Sequence, residues 1–151
     1  MGGPIRRPCC VSVSLYQTGE HTAAAVFKIK SAEEIPFGEG TTGPKLTKGT
    51  FELEYSGDLE GEGILEEIQV HFTPKRVSID GYQRVTGKLK NAGAGSFVLK
   101  HEGRFSNGIV YVTMTVVPGS GTEGLKGLRG EIILKSGPAS EFPITFNYRF
   151  A

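Results

Sequence analysis

Between Val116 and Glu131 the chain reads Val-Val-Pro-Gly-Ser-Gly-Thr-Glu-Gly-Leu-Lys-Gly-Leu-Arg-Gly-Glu. A β-branched run stops at Pro118, and a new apolar run, Ile132-Ile133-Leu134, starts after the glycines. Glycines this close together favour tight turns with positive φ and oppose a regular helix. Leu125 and Leu128 stand between them, a pattern that pins a loop onto a core. The stretch predicts the closing corner of an antiparallel β-barrel.

The segments on either side support strands. Phe51, Leu53 and Tyr55 alternate with Glu52, Glu54 and Ser56, as a half-buried strand does. Val77, Ile79, Gln83, Val85 and Leu89 share one face, and Phe97, Leu99, His101 and Phe105 share another. Ile144, Phe146, Tyr148 and Phe150 alternate at the end of the chain, and Asn107-Gly108 is a strong hairpin signal. Ala23 to Ile29 reads as a first strand, and Ser31 to Pro44, with its glycines and two prolines, reads as a loop. Leu59 to Gly63 is expected to enter the next strand through a bulge, placing Ile64, Glu66, Ile68, Val70 and Phe72 on the inner face. No segment has a helical period. About eight strands with hairpin spacing predict an all-β fold, a small antiparallel eight-stranded barrel, since closure removes edges.

The chain has 151 residues, enough for one domain with a sizeable core. A formal net charge of +1 gives no electrostatic footprint for nucleic acid, and no apolar run approaches a membrane helix. The two cysteines, Cys9-Cys10, are adjacent, which disfavours a structural disulfide and supplies no zinc spacing. These features predict a cytoplasmic chain, with residues 1–20 as a poorly ordered leader and 21–151 as a single barrel domain.

Four ordered blocks carry a family resemblance: Tyr55 to Gly63, Gly81 to Gly87, Gly95 to Gly103, and Val116 to Gly130. Together they resemble the mostly bacterial family catalogued as domain of unknown function 3224, over roughly residues 24–150. That family is similar to allene oxide cyclases in fold, an eight-stranded barrel. The resemblance implies that fold and, by analogy with related barrels, a homo-oligomer; it carries no assigned chemistry. Where the family often has Trp or Glu, this chain has Ala32, Met114 and Gln83.

On these face assignments, Tyr55, Glu66, Gln83, His101 and Tyr148 point toward the barrel axis. Small barrels enclose either packed side chains or one small ligand. A carboxylate and an imidazole among apolar side chains would have shifted pKa values and could act as acid and base. Three functions follow: a barrel binding a small apolar molecule, a cyclase or isomerase acting on a flexible apolar substrate, or a structural module with a filled core. His71 and Glu66 fall on opposite faces of one strand, which argues against a metal, and no cofactor is expected. Gly119 to Gly124 matches the dinucleotide pattern G-x-G-x-x-G, yet no helix or βαβ unit accompanies it.

Overall fold

Alternation of inward and outward side chains carries most of the described chain into strands. The computed structural model describes residues 20–38, 40 and 42–151. Residues 1–19 of the expected leader, with Cys9-Cys10, lie outside the described residues. The strands are β1 (His21–Phe37), β2 (Lys45–Gly57), β3 (Leu59–Thr73), β4 (Arg76–Leu89), β5 (Gly93–Ser106), β6 (Ile109–Val116), β7 (Leu128–Ser136) and β8 (Phe142–Phe150). Each pairs antiparallel with the next, and β8 returns to β1 through His21↔Tyr148 and Phe27↔Phe142. The all-β, closed eight-stranded barrel expected from the sequence is the fold. Asn107 and Gly108, with φ of 51° and 86°, make the tight hairpin their sequence demands. Among the described residues no helix is long and apolar enough to cross a membrane.

The glycine corner closes one end. It contains a single 3-10 turn, Glu123–Leu125, and Leu125 and Leu128 are fully buried with Leu59, Leu89, Phe97 and Phe146. The corner is clamped to the start of β5: the Thr122 N–H donates to the Ser96 carbonyl at 2.9 Å, and the Ser96 N–H donates to Thr122 Oγ1 at 2.9 Å. Gly95 permits this approach, because a Cβ there would strike the Thr122 carbonyl oxygen. The other end is uneven. Strands β1 to β5 run 13 to 17 residues, whereas β6 to β8 have only 8 or 9. The barrel wall is therefore low on the β6–β8 side.

Two expectations are corrected. The first concerns β1, which runs on to Phe37 where a loop was expected from Ser31. A bulge between Ile29 and Ser31 resets its register against β2. Past Phe27 it has no β8 partner, and a strand with one unpaired edge tolerates Pro36, which lacks an N–H. The second concerns β3. No bulge interrupts its ladder with β2 or β4 before His71. Counting in twos from buried Leu59 passes through Gly61 and Gly63 to Leu65, Glu67, Gln69 and His71. Those side chains face inward, and Glu66 faces outward. The outer face instead carries Ile64, Ile68 and Phe72, each 40–47% exposed.

Candidate functional site

The uneven end opens into a cavity of about 390 Å³. Its walls are mostly apolar, with the phenyl rings of Phe27, Phe51, Phe105 and Phe142 beside Leu53, Leu65, Ile79, Val112 and Met114. The polar groups lining it come from one side. Glu34 is contributed by β1, Glu67, Gln69 and His71 by β3, and His101 by β5.

Register explains how titratable groups meet in so apolar a space. One inward row crosses five strands as Glu34, Gly49, Glu67, Gly81 and His101, then continues to Met114 on β6. A glycine separates each successive pair of titratable residues. At Gly81 the missing side chain is required: a Cβ would lie 2.6 Å from Glu67 Cα and 2.7 Å from Glu67 Cβ. The carboxyl of Glu67 and the imidazole of His101 thus stand over bare backbone, about two strand spacings (~10 Å) apart at their Cα atoms.

Two hydrogen-bonded chains hold these groups. In the first, the Tyr55 hydroxyl donates to Gln83 Oε1 at 2.6 Å, and Gln83 Nε2 lies 2.8 Å from His101 Nε2. Because the Gln83 oxygen is occupied by Tyr55, its amide nitrogen donates to the imidazole. His101 Nε2 therefore accepts, and its proton resides on Nδ1. Burial pushes the His101 pKa down to about 4, so the ring is neutral at physiological pH. Burial raises the Tyr55 phenol pKa far more than its bond to Gln83 lowers it, so the phenol keeps its proton. Gly63 leaves room for the Gln83 amide, which a Cβ would strike at Oε1.

In the second chain, Gln69 Nε2 donates to Glu67 Oε2 at 2.6 Å and the Thr47 hydroxyl donates to Gln69 Oε1 at 2.8 Å. His71 Nε2 lies 2.9 Å from Thr47 Oγ1 and donates to it, since that hydroxyl's proton is engaged. Glu67 is 7% exposed. Burial raises its pKa; the Gln69 bond lowers it less, and the nearby Glu34 charge raises it further. A buried acid with a raised pKa can give a proton to a bound molecule, and the His101 Nδ1–H can donate a hydrogen bond to one.

Of the five residues expected at the site, Tyr55, Gln83 and His101 come together as one chain. Tyr148 faces inward but at the plugged end, stacked on His21 at 5.2 Å between ring centres. Burial and the Asp58 charge raise its pKa. Glu66 is outside the barrel, paired with Lys48 at 3.0 Å. Glu34, Glu67, Thr47, Gln69 and His71 were not foreseen there. Phase counted from Leu59 through two glycines would have found the β3 members. Among the described residues no cluster of three or more His, Cys, Asp or Glu is placed to hold a metal ion.

Comparison with known proteins adds two findings. A family model described as "Protein of unknown function (DUF3224)" matches residues 23–148. A 1.84 Å crystal structure of a protein with unknown function from the DUF3224 family of Shewanella oneidensis MR-1 superposes with a TM-score of 0.72 at 23% identity. The match covers 88% of this chain and 99% of that one, and its likeness is one of fold. No curated protein matches.

Proposed function

The chain belongs to the DUF3224 family, and from that premise we propose that it binds a small, mainly apolar molecule inside the barrel. The observation that carries this reading is the cavity of about 390 Å³, plugged at one end, apolar on most of its wall, and polar at Glu67 and His101. Small-molecule sites have this character: some hundreds of Å³, apolar walls and a few placed polar groups. A filled-core structural module fits poorly with such a volume. Ligand entry is from the low β6–β8 side, and the His101 Nδ1–H and the second Glu67 oxygen are available to orient the guest.

Native mass spectrometry of the purified protein before and after organic extraction tests the reading, together with titration of octanol by calorimetry. A bound small mass lost on extraction, or saturable octanol binding abolished by Val112→Trp, is expected. No retained mass and no octanol binding would defeat the proposal.

A second reading has its own observation. Glu67, a buried acid whose pKa is raised, stands across Gly81 from the His101 Nδ1–H, a hydrogen-bond donor. On that reading the protein is a cyclase or isomerase similar to allene oxide cyclases, folding a flexible apolar substrate within the cavity. Loss of turnover in Glu67→Gln with octanol binding intact would favour it over simple binding.

A further inference from the structure

The charge of the cavity is one-sided. Its titratable lining groups are Glu34 from β1, Glu67 and His71 from β3, and His101 from β5. Strands β2 and β4 place Gly49 and Gly81 beside Glu67 and add no charge there. Among the described residues no Lys, Arg or Asp lines the space. Lys48, opposite Ile68, is turned outward to Glu66, and Lys45, opposite His71 at the mouth, is exposed and does not line the space. The imidazole of His101 stays neutral because it is buried, so it cancels no negative charge.

Glu67 is not held by a partner of opposite sign. One oxygen accepts from Gln69, a neutral amide, and the second has no donor among the described residues. An acid buried to this degree is ordinarily paired with a cation, because leaving a charge unpaired in apolar surroundings is costly. Here no pairing cation stands beside the acid among the described residues, and the space next to it is open. The phenyl rings of Phe27, Phe51, Phe105 and Phe142 supply the other half of a recognition chemistry. Aromatic faces attract cations, and they do so more strongly when water is excluded.

We propose that the molecule taken by this cavity is a hydrophobic organic cation, an apolar body bearing a protonated amine, with its charge at the carboxylates of Glu34 and Glu67. The inference rests on the reading of the barrel as a small-molecule binder and specifies the class of guest. A carboxylate guest would face two like charges with no basic partner. A neutral alcohol would gain the hydrogen bonds but not the charge pairing. Acid weakens the complex, because protonation of Glu67 removes the charge that a cation would meet.

The test uses three probes with one hydrocarbon chain, octylamine, octanol and octanoate, titrated calorimetrically at neutral pH. Octylamine is expected to bind at least tenfold more tightly than octanol, with octanoate weakest. In Glu67→Gln, which keeps the shape of the side chain, the amine is expected to lose its advantage while octanol binds as before. Glu34→Gln should reduce the advantage in the same direction and serves as the second variant should the first fail to fold. Glu66→Gln, outside the barrel, should leave the preference intact. Octanol or octanoate binding as tightly as the amine would overturn the cation and leave the binding barrel standing. Failure of all three probes to bind would defeat the binding barrel and the cation together.

Discussion

Tyr55, Gln83 and His101 fix one another in a single proton order, and each link has a measurable signature. Nitrogen chemical shifts should show His101 as the Nδ1–H tautomer, neutral down to about pH 4. The same shift makes stability depend on pH. Below 6.5 the unfolded chain takes up a proton that the folded ring refuses until about 4. The contribution is full above 6.5 and is lost as pH falls toward 4, to the extent of about 3 kcal/mol. Glu67 acts in the opposite sense, since its raised pKa favours the fold in acid and that contribution is lost as pH rises through it. Denaturation of wild type and His101→Gln across that window isolates the histidine, because Glu67 is common to both. Tyr55→Phe leaves Gln83 Oε1 without its donor in the core and should cost about 1–3 kcal/mol in urea denaturation. Glu66→Gln is the contrasting case: an exposed ion pair whose loss should move stability by no more than about 0.5 kcal/mol.

Strand by strand, the site depends on positions where side chains are missing. A Cβ at Gly81 would collide with the β3 backbone at Glu66 and Glu67, so Gly81→Ala should cost about 2–4 kcal/mol and push Glu67 out of line with His101. Amide exchange offers a second check. Lys28–Phe37 pairs only with β2 and should exchange faster than β4, which is paired on both sides. These elements also show what was legible in the sequence. In β4, β5 and β8 the inner face is the more apolar one, so Gln83 and His101 were found by their company. In β3 the apolar residues Ile64, Ile68 and Phe72 lie outside, and Glu67, Gln69 and His71 lie within. A hydrophobic count then selects the wrong face, because β3 supplies the polar stretch of an otherwise apolar cavity and so inverts the rule on which the count depends. The outer half of β1 was hidden for a related reason. Its glutamates and Pro36 resemble a loop, and only the unpaired edge makes them acceptable in a strand.

The whole molecule is a cup, solid at one end and open at the other. Leu125, fully buried in the plug, belongs to a turn far along the chain from the strands it seals, so Leu125→Ala should cost about 2–5 kcal/mol in thermal or urea unfolding. With most pairings made between whole neighbouring strands and the last strand returning to the first, folding should be slow, in the millisecond-to-second range. The plug also governs traffic. On the proposed reading of a binding barrel, the described residues leave a guest one doorway, so a newcomer would have no route by which to displace the occupant from behind. Replacement would then wait for the occupant to leave, and on that reading its rate in a stopped-flow exchange should be the same however much competitor is added.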